Sequence, residues 1–329
     1  AARVLGLALT SRSKGDNPVP LAGIPYHALE GYLSRLVEAG YKVAISEQTE
    51  DPRQAKGVVK REIVRIVTPG TLTDEALLEI GRNNYLAAIA EQGTEAGLAV
   101  VELSTGEFWV MQCPARATLD ELARLRPSEL LAAERTIGRR EALADQYQAV
   151  TGGVVTTRPA HHFEAIRAER TLHAHFGVKT LNGFGLEGID GSLCAAAAIL
   201  NYLAETQKTA LGHIASIRRR RQADHVVIDE ATYRSLEIDR PMRGDAQGSA
   251  LIPAIDRTIT AMGARRLQAW VGYPLRAADQ IIARQDAVAE LRADGGLLDA
   301  VVGVLREVSD IERITARLEI GRASCRERV

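Results

Sequence analysis

Three strand-like runs, at residues 85–90, 97–103 and 107–112, are separated only by the turn signals Gly93-Thr94 and Thr105-Gly106. Such short connections read as an antiparallel meander, since parallel neighbours need a crossover of about a dozen residues or more. Helix is expected from about Leu119, then a strand-helix alternation, then an Ala-rich helix over 191–206. Strands first, with helices after and between them, make an α/β domain. The longest apolar run, 193–200, lies inside that last helix and falls far short of the roughly 20 residues a membrane span needs.

The flanks have a different character. Residues 26–39 place Leu29, Leu33, Leu36 and Val37 on one helical face, and Gly40 stands where a helix would end. Strands are expected at 43–45 and 62–67, the second punctuated by Pro69-Gly70. Between Thr10 and Pro25 lies a Ser, Gly, Asn and Pro-rich loop carrying Arg12 and Lys14. It precedes a Pro-Tyr-His turn opening a helix, whose N-terminus is a candidate phosphate-facing site. Residues 1–69 thus read as a small, mildly basic α/β unit. From about 216 turn residues thin out, and helical patterns cover 231–237, 261–271, 277–292 and 297–317, an all-α segment.

Length and chemistry narrow the function. A chain of 329 residues suits two or three domains, and 46% hydrophobic with 25% charged residues is a globular balance. The formal charge of −1 confines any nucleic-acid surface to a local patch. With aromatics at 4%, base-stacking platforms cannot dominate. Cys113, Cys194 and Cys325 form neither a disulfide framework nor a metal motif, so a reducing cytoplasm is the default compartment. His161-His162 and His173/His175 lack partners at zinc-like spacing and read as surface histidines. No phosphate-loop motif occurs, and Gly-Lys is absent as a dipeptide. Glu102 could be the first acid of a metal-dependent nuclease, but no strand-core Asp accompanies it. Arg218 to Arg221 is the densest positive run. Phosphate contact is one reading; a solvated inter-domain loop is the favoured one. The chain starts without Met, inside an amphipathic pattern, as if cut mid-element.

Several motifs carry a family resemblance. They are Leu21-Ala22-Gly23-Ile24-Pro25-Tyr26-His27-Ala28, Ala44-Ile45-Ser46-Glu47-Gln48, Val64-Arg65-Ile66-Val67-Thr68-Pro69-Gly70-Thr71 and Asn84-Tyr85-Leu86-Ala87-Ala88. Ser104-Thr105-Gly106-Glu107-Phe108, Thr206-Gln207-Lys208 and Leu236-Glu237-Ile238 follow. Asp256-Arg257-Thr258-Ile259-Thr260-Ala261-Met262-Gly263, with Arg265, Leu267 and Trp270, completes the series. In this order they resemble the MutS family of DNA mismatch-repair proteins across nearly all of 1–318.

The resemblance implies a multidomain α/β plus all-α chain. Residues 1–69 would be the later part of a mismatch-recognition domain, 70–217 an RNase H-like connector, and 218–319 the beginning of a helical core or lever domain. In the family a Phe-x-Glu finger wedges beside the mispaired base from the minor groove, where a mispair kinks more cheaply than a matched pair. Here the finger, the clamp and the ATPase are all missing, so the resemblance gives this chain no catalytic residue and no cofactor. ATP and Mg²⁺ would belong to the full-length parent. The implied DNA-facing residues are Thr10, Ser11, Arg12, Leu21, Gly23, Ile24, Pro25, Tyr26 and His27. Asp256, Thr258, Thr260, Gly263, Arg265 and Trp270 would pack a junction that transmits movement. Implied partners are mismatched duplex DNA, a MutL-type protein through the connector, and a second copy in the parent; no membrane is implied. Residues 320–329 match one frame of a common sequencing adapter and are expected to be non-native, with Cys325 meaningless. The last helices are expected to expose an apolar face. The alternative is a stand-alone MutS-like interaction or DNA-scaffold module without a motor.

Overall fold

A computed structural model describes residues 2–11, 19–50, 59–134, 136, 143–242 and 249–320. Arg12, and all but Ile320 of the tail read as adapter-derived, lie outside them.

Helix α1 (Ala2–Leu5) leads to β1 (Thr10–Ser11), which pairs antiparallel with β2 (Pro20–Leu21). A single helical turn over Tyr26–Ala28 feeds α2 (Leu29–Glu38), which buries Leu33 and Val37. Gly40 ends it at φ +81°, its N–H reaching the Val37 carbonyl while Tyr41 N–H reaches that of Leu36. This closure needs left-handed backbone and so favours glycine. Strands β3 (Val43–Gln48) and β4 (Arg61–Val67) then pair antiparallel, with an irregularity between Ile45 and Ser46. The core beneath them is small: Leu33, Val37 and Val67, flanked by Val43, Ile45, Leu72 and Leu77.

The meander appears as expected: β5 (Tyr85–Gln92), β6 (Glu95–Glu102) and β7 (Glu107–Pro114). Next come α3 (Thr118–Leu125), β8 (Glu129–Ala133), α4 (Leu143–Thr151), β9 (Val154–Arg158), α5 (Ala165–Phe176) and α6 (Gly191–Gln207). Strand β8 lies parallel to β5, and β9 parallel to β8. Alternation along the strands supplies two cores. Leu86, Ala88, Val101 and Val110 face α5 and α6, whereas Ala87, Ile89, Leu98, Val100 and Trp109 face Leu122, Leu143 and Tyr147. The start of α6 lies hard against β6. A Cβ on Gly97 would stand 1.9 Å from the Gly191 carbonyl carbon.

The four-arginine run overturns the expectation of a solvated loop. Residues Arg218–Arg219 form β10, parallel to β7, and extend the sheet to the order β10-β7-β6-β5-β8-β9. Arg219 pairs with Asp190 at 2.7 Å, and Arg220 with Glu107 at 2.9 Å. The Arg220 guanidinium also stacks 4.0 Å from the centre of the Trp109 ring. Arg218 and Arg221 remain exposed.

Beyond it lie α7 (Glu230–Ser235), α8 (Leu251–Ile255), α9 (Ala261–Gly272), α10 (Ala278–Ala293), α11 (Gly295–Leu305) and α12 (Ile311–Glu319). Two expectations change here. The pattern over 297–317 divides into α11 and α12, because Asp310 caps a new helix by accepting from Arg313 N–H. Helix α8 was not anticipated; its Pro253 sits in the first turn, where proline is tolerated. Ile320 is buried and closes α12, its N–H on the Ala316 carbonyl. No helix of the described residues is long and apolar enough to cross a membrane.

Candidate nucleic-acid interface

Of the sequence-predicted contact residues near the start, most of those described are exposed; Arg12 lies outside the described residues. Thr10 lies opposite Leu21, with its hydroxyl donating to the Leu21 carbonyl at 2.9 Å, and Ser11 lies opposite Pro20. Thr10, Ser11, Gly23, Pro25 and His27 are exposed, Leu21 is 47% exposed, and Ile24 is half-buried. Tyr26 opens the turn in which Ala28 N–H bonds to the Pro25 carbonyl at 3.0 Å. Among the described residues, no atom beyond its chain neighbours stands within 4 Å of where a Gly23 Cβ would be, so their packing does not demand glycine there. The backbone at Gly23 is therefore open to close approach from outside. At the start of α2 no side chain caps the helix, and Glu30 occupies the first turn. That carboxylate opposes the phosphate-facing role expected of this N-terminus.

The second predicted set lies on α9 and the turn before it, and of its six residues Arg265 alone is buried. Asp256 Oδ1 accepts from Thr258 N–H at 2.9 Å and from its hydroxyl at 2.6 Å. Thr260 caps α9, its hydroxyl accepting from Gly263 N–H at 3.0 Å. Arg265 is buried and makes two bonds to Asp310, at 2.6 and 2.8 Å, and one to Glu312 at 2.6 Å. Burial would favour losing its proton; the Asp310 and Glu312 bonds outweigh that and hold Arg265 charged more firmly than usual. Thr258 is exposed, and so is Trp270. It is 40% exposed, with the Arg284 guanidinium 3.9 Å from its ring centre.

This junction grips the segment between the first unit and the meander. Gln268 donates to the Gly81 carbonyl at 3.2 Å, and Arg313 donates to the carbonyls of Glu79 and Arg82. Arg317 pairs with Glu75 at 2.8 Å. A cavity of about 730 Å³ lies where the three parts of the chain meet. Two ion pairs line it, Arg82 with Glu79 and Arg126 with Asp239, both at 3.2 Å.

Comparison with known proteins gives this geometry its context. Residues 1–76 match the family model of MutS domain I, 84–215 that of MutS domain II, and 231–329 that of MutS domain III. The chain belongs to the MutS family. It is 44% identical over 334 residues to the DNA mismatch repair protein MutS of Symbiobacterium thermophilum, covering 100% of this chain and 38% of that protein. It is 39% identical to that of Myxococcus xanthus over 328 residues, covering 99% of this chain and 37% of that protein. The MutS of Anaeromyxobacter dehalogenans is 42% identical over 329 residues, with 99% and 36% covered. The chain thus spans under two fifths of the length of the curated relatives it matches. The exposed contact residues lie in the MutS domain I match, the meander in domain II, the connector, and the Asp256 to Trp270 junction in domain III.

Sequence reasoning missed how MutS domains II and III are joined. Arg124 is buried, pairs with Glu121 at 3.3 Å and donates to the Ile228 carbonyl. Tyr273 packs into the connector core and donates to Glu121 at 3.2 Å. Only the helical spacing of Glu121 and Arg124 was visible in sequence; Tyr273 comes from 152 residues away. Glu102 has a structural setting. Buried on β6, it accepts from the Ser104 hydroxyl at 2.8 Å and from Asn84 N–H at 3.3 Å. Burial pushes its carboxyl up despite these bonds.

Proposed function

We propose that this chain braces a kinked, mismatched DNA duplex and carries that geometry towards its helical part. Thr10, Ser11 and Arg12 would lie along the phosphate backbone, and Leu21 with Gly23 to His27 would approach the minor groove. The backbone at Gly23, which no described residue covers, is the observation that carries this reading. No Phe-x-Glu tripeptide occurs in the sequence, so these residues are assigned to bracing and not to wedging. Discrimination then comes from the lower cost of bending a mispaired step.

The finer organisation follows the same reading. Residues 1–69 form the mismatch-recognition part, 70–217 an RNase H-like connector acting without nuclease chemistry, and 218–319 the start of the lever. The junction of Asp256, Thr258, Thr260, Gly263, Arg265 and Trp270 would pass movement to the connector. In a full-length protein this would be coupled to ATP and Mg²⁺, to a second copy and to a MutL-type partner at the connector, in the cytoplasm. This chain itself would not hydrolyse ATP.

Fluorescence anisotropy with a one-base-bulge duplex and its matched counterpart tests the proposal. Salt-sensitive binding with a small preference for the bulge is expected. Gly23→Ala should weaken binding to both without moving the melting temperature, and Arg12→Ala should lower the salt slope by about one. Equal binding by parent and Gly23→Ala would overturn the assignment of these contact residues. ATP hydrolysis by the purified chain would overturn the passive role.

A further inference from the structure

Glu129, the first residue of β8, is 0% exposed, and its hydrogen bonds join the connector to the end of the MutS domain I match at 1–76. One oxygen, Oε1, accepts from the connector itself: the Thr156 hydroxyl on β9 at 2.5 Å and the Tyr202 hydroxyl on α6 at 2.7 Å. The other, Oε2, accepts from the segment leaving β4: the Thr68 hydroxyl and Gly70 N–H, the latter at 3.1 Å. Lys42, beside β3, holds its ammonium 3.8 Å from Oε1. A buried carboxylate persists only when so compensated.

The segment that reaches Glu129 is shaped for it. Thr68 N–H bonds to the Thr71 hydroxyl at 3.0 Å, which closes the turn Thr68 to Thr71 upon itself. A Cβ on Gly70 would lie 2.8 Å from the Glu129 Cβ, so glycine is what lets this amide reach the carboxylate. Asn84 fixes the same turn from the meander side, donating to the Pro69 carbonyl at 2.9 Å. Among the described residues the core of the first unit is small, so such an attachment contributes to how it sits.

We propose that Glu129 is a positioning residue that latches MutS domain I to the connector, setting the orientation of the exposed contact residues through one shared carboxylate. Its effect on duplex discrimination rests on the function proposed above; the latch itself does not.

Hydrogen exchange by mass spectrometry on the whole chain, with duplex anisotropy alongside, tests this. Glu129→Ala removes both halves of the latch. Thr68→Val removes one first-unit donor and leaves the Thr156 and Tyr202 bonds intact. Glu129→Gln still offers an oxygen to Gly70 N–H, while the Thr156 and Tyr202 hydroxyls can turn to accept from its amide. Exchange in peptides covering 61–71 should rise tenfold or more in Glu129→Ala and about threefold in Thr68→Val, and stay within threefold of parent in Glu129→Gln. Peptides from β5 to β7 should stay within twofold in all three. The preference for the bulged duplex should fall towards unity in Glu129→Ala and be restored by Glu129→Gln. Unchanged exchange at 61–71, or an equal rise across β5 to β7, overturns the latch. If Glu129→Ala does not fold, Thr68→Val decides alone: a rise confined to 61–71 supports the latch, and none overturns it. If no form binds duplex, the functional reading fails while exchange still decides the latch.

Discussion

Strand β6 and helix α11 are both rich in apolar residues, yet their fates are opposite. From Ala96 to Glu102 every residue of β6 is buried, whereas no residue of α11 is. Leu297, Leu298, Val301, Val304 and Leu305 are instead exposed, as are Ile281, Ile282 and Val288 of α10. Apolar content thus decides whether an element forms, but burial depends on what lies across from it. Helix α6 covers one face of β6 and helices α3 and α4 the other; α11 has no comparable cover among the described residues. Substitutions in the two regions should therefore differ in size, and sometimes in sign.

The largest effect is expected in the sheet. Gly97→Ala drives a methyl group into the backbone of Gly191 and Ser192, which cannot turn aside as a flexible side chain would. A destabilisation of about 3 kcal/mol follows, at the upper end for overpacking. The melting transition should fall by on the order of 10 °C. A shift under 2 °C would show that α6 is not seated on β6 as described.

The Arg265 junction lies between the two extremes. Arg265→Met leaves Asp310 without its main partner, at a cost of about 2 kcal/mol, below the fully buried range because the carboxylate partners of Arg265 reach solvent. Burial would raise the Asp310 carboxyl, but the Arg265 bonds and the Arg313 amide hold it below its ordinary value. A depressed carboxylate contributes stability that is present above its unfolded pKa and is lost as pH falls through the folded one. Acid titration of the parent should therefore lose α9–α12 protection below the ordinary aspartate range near pH 4. Arg265→Met should already be loosened at neutral pH and lose little more. Identical acid profiles for the two would remove the ion pair from this junction.

These cases also show what local sequence can carry. The meander, α2 and α6 were legible because periodicity, turn residues and a terminating Gly40 are all written within a few positions. Strand β10 was not, since two arginines have no strand pattern of their own; they pair with the edge of β7, Arg219 held by Asp190 and the next residue, Arg220, by Trp109 and Glu107. Asp310 was visible as a cap in principle, but the apolar spacing ran past it. At the site, the stretch from Leu21 to His27 came through family resemblance, and its exposure could not be read from residue types. Glu129 was hidden for a stronger reason: the groups that bond to it come from residues 68, 70, 156 and 202.

A smaller effect is expected on the exposed surface. Leu298→Glu with Val304→Glu should leave the unfolding midpoint within about 0.5 kcal/mol of parent, the usual range for surface changes. Self-association should fall, because charge then interrupts the exposed apolar residues that drive it. Light scattering against concentration checks this. Unchanged scattering would move the sticky surface elsewhere; lost stability would mean that α11 is packed after all.

The smallest effect sharpens the comparison most, because it repeats the largest one elsewhere. Gly303 lies inside α11, is exposed, and has no atom within 4 Å of the position its Cβ would take. Gly303→Ala therefore meets no clash and removes the flexibility that glycine brings to a helix. The expected gain is at most about 1 kcal/mol, and less because the position is two residues from the helix end. It should appear as slower amide exchange in α11 with the connector unchanged. One methyl group would then destabilise β6 and steady α11. A loss of stability at Gly303 would instead mean that α11 has a covering neighbour, and the contrast between the two regions would fail.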